Sequence, residues 1–425
     1  MKKLLRRVVA IGVAVLLVDA PPCRAYSVLT HEAIIDVVWD TNIRPLLLKR
    51  FPHATPDELL KAHAYVYGGA IIQDIGYYPH GTKFVSDATH YFRSGDFIVS
   101  LLRNAQNLNE YAFAIGALAH YAADNCGHRL ATNLAVPLLY PELQNKYGPV
   151  VTYGDNPIAH IKTEFAFDVL QVAKGHYAPD SYHDFVGFEV SLPVLERAFQ
   201  ETYGIELKSV ISNEERAANS YRNSVNGLIP KATRVAWNLK QHDIQKDEPG
   251  ITRKKFLYNL SRASYEKEWG KDYQRPSASD KFLAFLIRIL PKIGPLRILT
   301  FRTPTPEAQQ LFENSFNMTV DRYRALLIDL GNGRLQVPND NFDLGEVAER
   351  GQYKLADKTC AELLDRLAKQ HMVGVDQELK TQLLAFYAEK DNSGAAKKHD
   401  KSAARIQQEI KELQESPAVS TSAGE

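Results

Sequence analysis

The stretch His120-Tyr-Ala-Ala-Asp124-Asn-Cys-Gly-His128 closes the apolar run Tyr111-Ala-Phe-Ala-Ile-Gly-Ala-Leu-Ala119, and its spacing decides the fold. In a helix four residues advance about 400°, so His120, Asp124 and His128 drift only about 40° per step and share one face. Two imidazoles and a carboxylate pointing the same way are donors of the kind that zinc takes, and helices present such donors efficiently at i and i+4. One His/Asp pair alone reads more simply as a buried helix with satisfied polar groups. A second pair shifts that balance, because His160-Ile-Lys-Thr-Glu164 repeats the spacing and Asp168 follows at a further i+4 step. With more His and Asp upstream, a metal site is the better reading.

Working outward, Thr30 is placed to N-cap the helical pattern Glu32 to Trp39, which puts His31 in the first turn. Pro56 to Ile75 reads as a helix with a close-packed end, Gly68-Gly69-Ala-Ile-Ile-Gln-Asp74-Ile75. Asp74 there is an acid inside an apolar run, a costly placement unless it is paired or bound to metal. His90 precedes two aromatics and says little by itself; His53, His63, His176 and His183 read as surface, packing or loop residues. Helical periodicity continues through Leu192 to about Ile244, Pro304 to Leu327, and in two short pieces between Ala348 and Leu384. There are no alternating strand runs, no Gly-rich phosphate loop and no Gly-x-Ser-x-Gly turn. The expected fold is all-α, a multi-helix bundle with a helical C-terminal extension.

The chain has 425 residues. It opens Met1-Lys-Lys-Leu-Leu-Arg-Arg7, continues with an apolar run from Val8 to Val18, and reaches the small-x-small site Cys23-Arg24-Ala25. This is the pattern of a signal peptide, cleaved after Ala25, and it implies a periplasmic or secreted protein whose mature chain begins at Tyr26. A lipoprotein anchor on Cys23 is the weaker alternative, since Ala20-Pro21-Pro22 lacks the usual aliphatic and small residues. Removing residues 1–25 lowers Lys+Arg from 51 to 46 and Asp+Glu from 50 to 49, so the formal charge moves from +1 to −3. A near-neutral protein has no general attraction for polyanions, and no stable nucleic-acid partner is expected. Cys126 and Cys360 are not a disulfide framework, although they could pair, and Cys126 points away from the ligand face and reads as packing.

The segment Phe282 to Phe301 is the most apolar of the mature chain. Its cations Arg288, Lys292 and Arg297 and its prolines exclude an ordinary span. A buried helical hairpin is the simpler reading, and peripheral membrane contact through 282–301 the alternative. Residues 391–425 read as a disordered tail in which Ile406, Ile410 and Leu413 could form one marginal amphipathic helix. The expected organisation is thus a signal peptide at 1–25, a metal-binding domain at 26–200, a helical extension at 201–390 and the tail.

Five pieces, Tyr26-x4-His31, Gly69-Ala-Ile-Ile-Gln-Asp74, His90-Tyr-Phe, His120-x3-Asp124-x3-His128 and His160-x3-Glu164, taken in this order, resemble the zinc-dependent phospholipase C family. That domain also occurs in glycosylphosphatidylinositol-specific phospholipase D, and single-strand-specific zinc nucleases are distantly similar. The resemblance implies three zinc ions. Asp74, His90, His120 and Asp124 would hold one; His128, His160 and Glu164 a second; and the amino and carbonyl groups of Tyr26, with His31 and a bridging Asp124, the third. Three zinc ions carry more positive charge than Asp74, Asp124 and Glu164 offset, which suits an anionic phosphodiester. The implied reaction is hydrolysis by zinc-activated water attacking phosphorus, with Asp74 orienting or deprotonating that water. Tyr26 stands where the family often has Trp, and Gln73 where it commonly has proline.

The substrate expected first is a phospholipid or another phosphodiester. The alternatives are a single-strand nuclease, for which Tyr77, Tyr78 and Tyr91 are candidate base-stacking platforms, and a non-catalytic zinc-stabilised lipid-binding protein.

Overall fold

The computed structural model describes residues 28–174, 176, 187–225, 240, 242–246, 299–388 and 401–419. The proposed signal peptide, Tyr26, residues 282–298 and part of the tail therefore lie outside the described residues. Within them the architecture is all-α, as expected, with helices joined by short turns and only two isolated β-bridges.

The central helix, named α6 here, spans Leu108–Gly127. Asn107 caps it by accepting the Glu110 amide N–H at 3.0 Å. Every residue from Glu110 to Gly127 is buried, because its run of Ala and Gly lets neighbours approach from all sides. The closest neighbour is α3, Pro56–Gly69, which begins in a capping box between Thr55 and Glu58. The α3–α6 crossing is backbone against backbone. A Cβ on Gly116 would lie 2.1 Å from the Val66 carbonyl, and one on Gly69 2.0 Å from that of Phe113.

The N-terminal α1 (Val28–Val38) and α2 (Arg44–Arg50) are separated by a π turn. Thr30 lies inside α1 rather than capping it, and its hydroxyl donates to Asp168 Oδ1 at 2.7 Å. Between α3 and α6 come a 3-10 turn (Ile72–Tyr77), α4 (Lys83–Tyr91) and α5 (Ser94–Asn104). A π turn from His128 to Thr132 leads to α7 (Asn133–Leu139) and α8 (Pro141–Tyr147). Then follow α9 (Pro157–Lys174), α10 (Leu192–Tyr203), α11 (Leu207–Val210) and α12 (Glu214–Asn223).

The extension adds α13 (Pro306–Gly331), α14 (Lys354–Lys369), α15 (Gln377–Ala388) and α16 (Lys401–Glu415). It does not build a core of its own. Tyr323 on α13 is fully buried and its hydroxyl donates to the Ile115 carbonyl of α6 at 2.9 Å, and one hydrophobic cluster runs from Val28 to Leu413. Helix α16 is the amphipathic helix that Ile406, Ile410 and Leu413 could form within the tail. Its Leu413 is fully buried, with Ile406 and Ile410 packed beside it, so tertiary burial stabilises a helix that would be marginal alone. Leu299 and Phe301, at the end of the apolar 282–301 segment, are likewise buried, Phe301 edge-on to Phe165. Cys126 and Cys360 are free and buried and do not pair. No helix among the described residues is long and apolar enough to cross a membrane.

Candidate metal centre

The three donors read from the central helix do share a face, and α1, α4, the 3-10 turn and α9 bring the others to it. Three groups of ligand atoms result, each with its members within 4.8 Å of one another: His31, His120 and Asp124; Asp74, His90 and His120; and His128, His160 and Glu164. All eight described candidate ligands are buried, at 2% exposure or less. Tyr26, the ninth, lies outside the described residues.

Asp124 stands between the first two groups and divides its oxygens. Oδ1 lies 3.5 Å from His31 Nε2, whereas Oδ2 lies 3.4 Å from His90 Nε2 and 3.1 Å from His120 Nε2. Asp74 faces the same two-histidine group, with Oδ1 3.4 Å from His90 Nε2. The third group is held by His160 Nδ1 at 2.8 Å and His128 Nε2 at 3.6 Å from Glu164 Oε1.

The far side of each ring explains which nitrogen faces inward. A carbonyl oxygen only accepts, so His90 Nδ1 donates to Ser86 O at 2.7 Å and His120 Nδ1 to Ala70 O at 2.9 Å. In a neutral ring each Nε2 is then a lone pair, and these two lone pairs are 3.3 Å apart. Ala70 O is within reach of α6 because Gly116 lets the α3 backbone come so close. His160 reverses the pattern. Asn133 donates through Nδ2 to the Asp343 carbonyl at 2.8 Å, which orients its Oδ1 toward His160 Nε2 at 2.8 Å and leaves Nδ1 facing Glu164.

Lone pairs and carboxylates converging in a buried space repel one another unless a cation lies among them. Protons can play that part. Burial and the neighbouring His120 push His31 down to about 3. For His90 burial works the same way, but the facing Asp124 and Asp74 carboxylates outweigh it and raise the ring to about 9. His128 is also raised, Asp124 and Asp343 overcoming its burial, and the surrounding histidines hold Asp124 well below the usual carboxylate range in spite of burial. The oxygens of Asp74 and Asp124 accept no aligned hydrogen bond among the described residues. A donor set of imidazole nitrogens and carboxylates, with the inward nitrogens of His90, His120 and His160 fixed from behind, fits zinc.

Residues 30–213 match the family model described as zinc dependent phospholipase C. The chain carries a zinc-dependent phospholipase C family domain. Comparisons with curated proteins and with solved structures return no match. The match ties residues 30–213 to a zinc-dependent hydrolase family of the phospholipase C type, and zinc is the metal the clustered donors suit.

Sequence reasoning missed several residues that shape the centre. Asp168 is not among the grouped donors; it anchors α1 by accepting from the Leu29 amide and the Thr30 hydroxyl, which sets the position of His31. Its i+4 relation to Glu164 was visible, but its partner lies 139 residues away. Asn133 and Asp343 carried no periodic signal. Gln73, where the family commonly has proline, donates through Nε2 to Ala117 O at 3.0 Å and ties the Asp74 turn to α6. His63, read as packing, stacks on Trp39 and lies 3.3 Å from Asp36.

Proposed function

We propose that this protein hydrolyses the phosphodiester bond of phospholipids, releasing a phosphorylated head group and diacylglycerol, and that its buried donors hold three zinc ions. The observation that supports this best is the division of Asp124, one oxygen toward His31 and the other toward His90 and His120. A carboxylate placed in that way suits a bridge between two metals, with His128, His160 and Glu164 as the set for the remaining one. The Tyr26 amino and carbonyl groups complete the His31 set in this proposal, following removal of residues 1–25 and export of the protein.

Zinc bound there supplies Lewis acidity toward phosphate oxygens and lowers the pKa of water toward neutrality. The chain supplies the rest. Asp74 orients a water for in-line attack on phosphorus and accepts its proton at a carboxylate oxygen. As the bond from phosphorus to the glycerol oxygen breaks, the alkoxide on the far side of phosphorus takes a proton from solvent water and leaves as diacylglycerol, and Asp74 returns its own proton to solvent. The carbonyls of Ser86 and Ala70 and the Asn133 side chain hold the rings still during this exchange.

Lipid is favoured over single-stranded nucleic acid by the fate of the three tyrosines. Tyr77 donates to Asp87 at 3.2 Å, Tyr78 packs edge-on to Tyr221, and Tyr91 is buried between His90 and Tyr353. None of them offers an open face to a base. The test uses the protein beginning at Tyr26, with phosphatidylcholine vesicles and single-stranded DNA as substrates. Release of phosphocholine with no DNA cleavage is expected, together with sedimentation on the vesicles if residues 282–298 touch the lipid surface. DNA cleavage without lipid turnover would favour the nuclease, and three bound zinc ions with neither activity the non-catalytic protein.

A further inference from the structure

The extension reaches into the metal centre through a tight loop between Asn339 and Glu346. The loop is closed by Asn341 N–H to Glu346 O and Gly345 N–H to Asn341 O, both 2.7 Å, with Gly345 in the left-handed region at φ 73°. The Asn341 side chain accepts from the Asp343 and Leu344 amides at 3.0 and 3.2 Å, so the turn is locked from within. Phe342 is fully buried; its N–H donates to the His90 carbonyl at 3.1 Å and its ring lies 5.0 Å from that of His90 and 5.9 Å from that of His120.

Asp343 follows at 1% exposure, with Oδ1 2.6 Å from His128 Nδ1. Its other oxygen accepts from the Tyr353 and Tyr91 hydroxyls, the latter at 3.4 Å. The carboxylate stands behind the ring, on the side away from Glu164, and belongs to none of the three ligand groups. Its main-chain carbonyl accepts from Asn133, the residue that also orients His160. One loop therefore braces both histidines of the third group. It lies well beyond residue 213, where the family match ends.

We infer that Asp343 is a positioning residue for the metal centre: it keeps the His128 proton on Nδ1, turns Nε2 toward the ion shared with His160 and Glu164, and makes the extension part of the site. A carboxylate behind a ligating imidazole fixes its tautomer and raises its basicity, and losing such a partner costs on the order of 10–100-fold in metal affinity. The inference rests on the zinc reading above.

The experiment compares zinc affinity, by chelator competition, in the wild-type protein and in Asp343→Asn, Asp343→Ala and Tyr353→Phe, with the visible spectrum of the cobalt-substituted forms as a second readout. Asp343→Ala is expected to weaken one ion about 10–100-fold and to shift its cobalt bands. Asp343→Asn and Tyr353→Phe, which keep an acceptor behind the ring, should give smaller shifts in the same direction. Wild-type affinity and spectra in the folded variants would overturn the inference alone. So would zinc loss in Asp343→Ala that merely follows unfolding of the metal-free protein, with Asp343→Asn and Tyr353→Phe indistinguishable from wild type. A wild-type protein that takes up no zinc would overturn the zinc reading and this inference together.

Discussion

Removing zinc should give the protein a stability optimum in pH that the loaded protein lacks. In the metal-free centre His90 is raised from 6.5 to about 9: burial disfavours its charge, but Asp124 and Asp74 more than compensate. A raised histidine contributes stability that is fully present below the unfolded value of 6.5 and is lost as pH rises through about 9. At about 1.4 kcal/mol per unit this amounts to roughly 3 kcal/mol. In a chain of this size each kcal/mol moves Tm by roughly 2 °C, so an alkaline fall of about 6 °C is expected. His31 works on the other side. Held down to about 3 by burial and by His120, it contributes stability that is present above 6.5 and drains away as pH falls toward 3. The metal-free protein should therefore be most stable near pH 6.5. Zinc held by the group that includes His90 would take the place of this proton and should abolish the alkaline limb, so loading zinc at about pH 7.5 should release a proton. The assay is thermal unfolding of chelator-treated and zinc-loaded protein from about pH 5 to 10, with proton release followed by calorimetry in two buffers of different ionisation enthalpy. A metal-free Tm that is flat or rising between about pH 7 and 9, or zinc uptake with no proton release, would refute the reasoning.

Two substitutions test the frame around this site. Asp124→Ala removes both oxygens of the proposed bridge and should lower the zinc content by more than one ion; metal analysis showing three ions retained would rule out the bridge. Gly116→Ala puts a methyl group 2.1 Å from the Val66 carbonyl and 2.8 Å from the Ala70 nitrogen. Separating α3 from α6 should cost roughly 3 kcal/mol or more and carry Ala70 O away from His120, so denaturant unfolding and zinc affinity should fall together.

The parts of the site that were legible are those written in helical repeat. His120, Asp124 and His128, and His160 with Glu164, can be placed on common faces because i+4 spacing fixes direction before any packing is known. The backing of the rings is different in kind. Ser86 O behind His90 is a local i−4 carbonyl, but Ala70 O behind His120 lies 50 residues away, and its reach depends on two glycines whose role is spatial. Which nitrogen of a histidine faces the other donors is set by that backing, so His90 and His120 present Nε2 while His160 presents Nδ1. The ligand pattern carries no trace of the choice. Asp343 is the extreme case. It reaches His128 only because α13 packs on α6 and returns the chain to the centre, a consequence of core burial more than two hundred residues from the motif it serves. Packing on α14 and α15 likewise gives Leu413 of α16 a core that its own segment could not build. A division between residues 30–213 and an appended extension therefore follows the family match along the chain, whereas the physical unit around the clustered donors includes both.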